Sequence, residues 1–261
     1  MNINNLGLLN TFSSIINGEE YDSDYAITNY ILNNIDNLSS ISINEVVDEA
    51  FVSRSSVRRF CNRLGYNNFS ELKNSLTDII FPSNIHLRSF EDIEVYRNDL
   101  INGLFNMVKS VNQVVTDDIV EYLVKTINEY EDILIISANN TSSNLLKFQQ
   151  ELFYAKKIIK LLNNNFDNDF LKKVSQPSSL IFVVSVSGVF ANAINESIGE
   201  ISGKKILISA SRDEKLNEVY DQIIYISKKD VREDNFGLLG KYGITYLFDL
   251  ISEQYIYKYK K

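Results

Sequence analysis

Arg54, Arg58, Arg59 and Arg63 are four of the chain's eight arginines, and they fall within ten residues. Residues 1–53 before them hold eight Asp/Glu and no lysine or arginine. Over residues 51–73 these arginines and Lys73 stand against Glu71 alone, a local charge of +4 in a chain of net −8. Guanidinium groups pair with phosphate, and bidentately with the O6/N7 edge of guanine; Asn62, among them, suits adenine. Charges further than about 8 Å away are screened at physiological salt, so global acidity does not cancel a basic face.

A basic face needs a helix to display it. Ser42 with Glu45 three residues on reads as a capping box, opening a short helix with Val46, Val47 and Ala50 inward. After a tight turn Ser53 caps a second helix, in which Val57, Phe60, Cys61 and Leu64 recur at i, i+3, i+4 and i+7. Gly65 then supplies a helix stop. This is a helix-turn-helix. Its apolar stripe leaves Ser55, Arg58, Arg59 and Asn62 on an outer stripe, with Arg54 and Ser55 at the N-terminus where base edges are reached. The expected nucleic-acid contacts are Arg54, Ser55, Ser56, Arg58, Arg59, Asn62 and Arg63, with Lys73 as an outlying phosphate contact. The alternative is a solvated helix whose arginines balance Glu45, Asp48 and Glu49. Cys61, on the apolar stripe, reads as a structural thiol.

Other residues offer hydroxyls. Ser185-Val-Ser187-Gly188-Val-Phe190 follows the apolar run Leu180–Val184. A serine turn with glycine, opening onto a helix at the carboxyl end of a strand, suits an anion such as phosphate. The matching loop after Ile133–Ile136 is Ser137-Ala-Asn139-Asn140-Thr141-Ser142-Ser143, where Thr141 and Ser142 could hold an anion without any glycine. For both loops simple helix capping is the competing reading. His86 has no His or Cys neighbours at metal spacing, so neither a metal nor a cofactor is expected.

The apolar pattern divides the chain into residues 1–80, all helical; a connector, 81–108; and 109–261, in which strands alternate with helices. Strands are expected at 133–136, 157–162, 180–184, 206–208 and 222–226, forming a parallel sheet flanked by helices. A single helix is expected over 189–202, a helical stretch at 213–220 and a long closing helix over 238–257. No apolar run reaches the roughly 18 residues of a membrane span. With one cysteine and no basic leader, a cytoplasmic setting is expected.

Together these features resemble the RpiR/MurR-type transcriptional regulators. The resemblance is carried by Val52-Ser53, Arg59-Phe60, Leu64-Gly65 and Phe69-Ser-Glu-Leu-Lys73, and then by Ser185-Val-Ser187-Gly188. It implies a two-domain fold, an all-α helix-turn-helix domain followed by an α/β sugar isomerase (SIS) domain that senses a phosphorylated sugar. It also implies double-stranded DNA with a palindromic operator as partner, and a homodimer or dimer of dimers. The ligand residues carried over are Ser185, Ser187, Gly188 and Thr141, with Ser142 beside them. The family's threonine is Phe190 here, and both glycines of its first loop are missing. Two rival readings stay open. One is an SIS domain that only dimerises. The other is a sugar-phosphate isomerase, for which Glu196 or Glu200 would be the base; no catalytic residue is assigned.

Overall fold

The computed structural model describes residues 3–77, 92–162, 168–228 and 236–260. The chain divides into two units, Met1–Phe81 and Pro82–Lys261, each with its own apolar core.

The first unit is helical: α1 (Ile3–Ile16), α2 (Ser23–Asn33), a 3-10 segment (Ile35–Ser40), α3 (Ile43–Glu49), α4 (Arg54–Arg63) and α5 (Phe69–Thr77). Asp22 caps α2, its carboxylate accepting from the backbone N–H of Asp24 at 2.9 Å and Tyr25 at 3.0 Å. One face of each helix feeds the core: Leu8 and Phe12, Ile27 and Ile31, Val46, then Val57, Phe60 and Cys61, then Phe69, Leu72 and Leu76. The rings of Phe12 and Phe60 stack with centroids 6.2 Å apart. The expected continuation of α5 to residue 80, Pro82 and His86 lie outside the described residues.

The second unit begins with α6 (Ile93–Asn112), whose Met107 and Val111 join its core, and α7 (Asp117–Glu129). Residues 93–108 of the span expected as a connector are therefore the first part of this helix. The strands are β1 (Ile133–Ser137), β2 (Lys160–Leu162), β3 (Leu180–Val184), β4 (Lys204–Ser209) and β5 (Gln222–Tyr225). All pair in parallel in the order β2-β1-β3-β4-β5. Every residue of β1 and β3 is buried, as strands covered on both faces require. Between them run α8 (Asn139–Tyr154), α9 (Asn168–Val174), α10 (Val189–Ala193) and α11 (Asn195–Gly199). After β5 come α12 (Phe236–Leu238), a π-turn (Leu239–Gly243) and α13 (Ile244–Tyr259). Helix α13 packs on α8 and α7, and Phe148 meets Phe248 edge-on at 4.7 Å.

Several elements differ from expectation: β2 is Lys160–Leu162 rather than 157–162, and a π-turn occupies the start of the expected closing helix, so that α13 begins at Ile244. The helix over 189–202 is two five-residue helices broken at Ile194, where φ is −105°. Asn192, Ile194 and Asn195, all weak helix formers, surround the break. The stretch at 213–220 is a 3-10 turn, Glu214–Glu218, started by the Asp213 carboxylate accepting from Lys215 N at 3.1 Å. Among the described residues no helix is long and apolar enough to cross a membrane.

Cys61 is the chain's only cysteine and lies fully buried on the inner face of α4. Desolvation pushes its thiol up to about 11. At pH 8 it is therefore protonated as well as inaccessible. A chromogenic disulfide reagent at pH 8 should leave native protein unlabelled for hours and titrate one thiol once denaturant is added. Prompt labelling of folded protein would show that α4 does not pack as described.

Candidate nucleic-acid interface and ligand crevice

The helix-turn-helix is built by local hydrogen bonds. Ser42 N donates to Glu45 Oε2 at 2.6 Å and Glu45 N returns a bond to Ser42 Oγ at 3.3 Å, closing the capping box of α3. The helix ends with Val52 N donating back to Val47 O at 3.1 Å, a left-handed turn centred on Phe51, whose φ is +53°. Glycine usually fills such a position, and a bulky residue there costs roughly 1–2 kcal/mol. Ser53 opens α4, its hydroxyl accepting from Ser56 N at 3.0 Å. Gly65, at φ +84°, closes it, and Tyr66 N donates to Cys61 O at 2.9 Å.

Burying Val57 and Phe60 is worth about 1.5–3 kcal/mol each, and that commits the opposite face to water. Arg54, Ser55, Arg58, Arg59, Asn62 and Arg63 are all exposed. Their engagements differ. Arg54 donates to Asn44 Oδ1, Arg59 Nη2 reaches Ser56 Oγ at 3.3 Å, and Arg63 pairs with Asp24. The Asp24 carboxyl is pushed up by desolvation, against the opposing pull of Arg63. Among the described residues Arg58 has no hydrogen-bond or ion-pair partner. The exposed Arg54 contact contributes little, about 0–1 kcal/mol, and yields readily to an anion, whereas Arg63 is held by a half-buried carboxylate.

Two of the expected contacts lie elsewhere. Ser56 is buried, its hydroxyl 2.9 Å from Ser53 Oγ in the helix cap. Lys73, on α5, donates to the carbonyls of Ser39 and Ile41, both at 3.1 Å. It closes the end of the 3-10 segment.

In the second unit the chain reverses direction across the sheet between β1 and β3, and Ser137 pairs with Val184 at their carboxyl ends. The two hydroxyl loops therefore leave the sheet side by side, at the crevice where ligands of such sheets bind. Ser185 is 4% exposed; its Oγ accepts from Ala191 N at 3.1 Å and its carbonyl accepts from Ser209 Oγ at 2.7 Å. Ser187 is exposed, with only a long bond from Val189 N at 3.4 Å. Gly188, at φ +74°, begins α10, and a Cβ there would stand 2.5 Å from Ser211 Cβ and 2.6 Å from its hydroxyl. Thr141 is buried on the first turn of α8, Phe190 is buried beneath α10, and the Ser142 side chain lies outside the described residues.

The hydroxyls of Ser209, the last residue of β4, and Ser211, just beyond it, were not singled out from sequence. Neither was Arg212, which donates to Ser227 O at 2.6 Å and lies 3.5 Å over the Tyr225 ring. The repeat of a Ser-x-Ser tripeptide at the end of β4 was a readable signal. Glu196 is exposed, and Glu200 pairs with Lys172 at 2.7 Å. A cleft of about 910 Å³ bordered by Asp117, Asp118, Glu121 and Tyr246 shares no lining residue with the crevice.

Residues 16–82 match the model of the helix-turn-helix domain of the rpiR family. The N-terminal region is thus similar to the rpiR-family helix-turn-helix domain. No curated protein matches the chain in sequence. Among solved structures, a hypothetical protein is similar at 14% identity and TM-score 0.50, over 63% of this chain and 90% of that one. The NanR protein of Vibrio vulnificus, complexed with ManNAc-6P, is similar at 17% identity and TM-score 0.48, over 97% of this chain and 92% of its own. The sugar isomerase domain of an RpiR transcription factor from Sphaerobacter thermophilus is similar at 12% identity and TM-score 0.48, over 61% and 90% respectively. At 14% identity the first of these likenesses speaks to fold alone.

The Gly188 geometry is directly testable. Gly188→Ala should lower the thermal midpoint of the α/β unit by several degrees, because the new methyl meets Ser211 in a conformation alanine disfavours. An unchanged midpoint would mean that the two loops do not interlock.

Proposed function

We propose that the chain is a sequence-specific DNA-binding transcriptional regulator whose α/β unit binds a phosphorylated sugar or a related anionic metabolite. One observation carries the reading. Inside an rpiR-family domain, α4 turns its apolar stripe inward and leaves Arg58 and Arg59 exposed at the centre of a basic face. Arg54, Ser55, Asn62 and Arg63 complete the proposed contact surface. Ser56 and Lys73 support it, holding the helix cap and the 3-10 segment. The ligand is assigned to Ser187 and the Gly188 backbone, with Ser185 shaping the turn and Thr141 and Ser142 supplying the facing loop. Two copies would place two such helices on half-sites about one helical turn apart, or a multiple of that. The effector would shift that arrangement by binding one form more tightly. The setting is cytoplasmic.

A regulator is favoured over an isomerase because neither candidate base is prepared for proton abstraction. Glu196 stands exposed, and Glu200 is held by Lys172. A second regulator reading, in which the α/β unit only pairs subunits, is favoured by two observations. Ser185 is already committed internally, and α6 exposes Ile101 and Phe105.

Replacing Arg58 and Arg59 together by alanine should weaken binding to the DNA upstream of the protein's own gene by at least about a hundredfold. Circular dichroism should stay unchanged. Undiminished binding would refute the interface. For the ligand, thermal melts against a panel of phosphosugars should rise with concentration for the native chain and stay flat for Ser187→Ala. Flat melts for both would favour the pairing-only reading.

A further inference from the structure

The turn between α3 and α4 carries a phenyl group that the fold does not use. Phe51 is 93% exposed, and its backbone stands at φ +53°, a region bulky side chains rarely occupy. The bond from Val52 N to Val47 O fixes that conformation whatever the side chain, so glycine or asparagine would serve the turn better. Lys156 is the other non-glycine residue at positive φ among those described, and it presents a charged group to water. Phe51 presents an apolar ring. The residue is thus disfavoured twice, once by its backbone and once by its exposure. Unusual backbone at such a position is a reason to look for function. It stands two residues before the Ser53 cap, at the end of α4 from which a helix-turn-helix reads bases.

We infer that Phe51 is a specificity-determining contact of this interface, its ring packing on the 5-methyl group of a thymine in the major groove. The inference rests on the DNA-binding reading and deepens it. Arginine and asparagine supply hydrogen bonds to phosphate, guanine and adenine. The thymine methyl is the one major-groove feature that needs an apolar partner. Among the exposed residues from 51 to 63, Phe51 is the only large hydrophobic one.

The test starts from duplexes enriched out of a random pool by the native full chain, with Arg58→Ala/Arg59→Ala as the control for the basic face. Each thymine of the enriched duplex is then replaced singly by deoxyuridine, which removes only the methyl group. At one position the native chain should lose about fourfold in affinity, the worth of one buried methyl. Phe51→Gly and Phe51→Asn should bind the thymine duplex more weakly by a similar factor or more, and should bind thymine and deoxyuridine forms equally. Neither variant should lower the thermal midpoint, since both residues accept the left-handed turn. A native chain indifferent to every deoxyuridine, or variants that read the duplex as the native chain does, would overturn the inference and leave the basic face standing. A native chain that enriches no duplex would remove the DNA-binding reading and this inference with it.

Discussion

Phe60 cannot be buried without turning Arg58 and Arg59 outward. Successive residues on a helix are 100° apart, so an inner stripe of Val57, Phe60 and Cys61 dictates where the guanidiniums go. Two side chains buried at about 1.5–3 kcal/mol each outweigh an exposed contact such as that of Arg54 with Asn44, at about 0–1 kcal/mol. The core therefore decides the orientation of the charges. Phe12 of α1 extends that core, so the first helix also bears on how the basic face is presented.

The α/β unit obeys a similar constraint. A parallel sheet in the order β2-β1-β3-β4-β5 must reverse its winding between β1 and β3, which leaves a crevice at their carboxyl ends. The residues that fill the crevice set its chemistry. Here Ser185 and Ser209 are tied into the loop itself and Gly188 is pressed against Ser211, so Ser187 is the hydroxyl of the serine turn that faces out. Phe190 buries a ring where the RpiR/MurR pattern has a threonine. Under the proposed function, an anion here would be held by fewer side-chain hydroxyls and more by backbone N–H groups than that pattern implies.

What was legible in the sequence is what depends on near neighbours. The Ser42–Glu45 capping box, the Ser53 cap, the Gly65 stop and the buried strands expected at 133–136 and 180–184 are matters of local spacing, and the structure has each there, the first strand running one residue further. What depends on distant residues was not legible. Lys73 reaches carbonyls 34 and 32 residues away, and Arg63 meets Asp24 from another helix. The interlocking of Gly188 with Ser211 joins the ends of two strands. The break at Ile194 was missed because its apolar spacing suits one continuous helix. The left-handed turn at Phe51 was missed because its glycine signal is absent.

The outer face of α4, with the turn before it, is the proposed surface on which the chain meets DNA. Amide chemical-shift mapping of the labelled full chain, titrated with its selected duplex, tests this most directly. The largest perturbations should fall on residues 51–63, with α1 and the buried strands nearly unmoved. Perturbations centred on another surface, with residues 51–63 unaffected at saturating duplex, would contradict it.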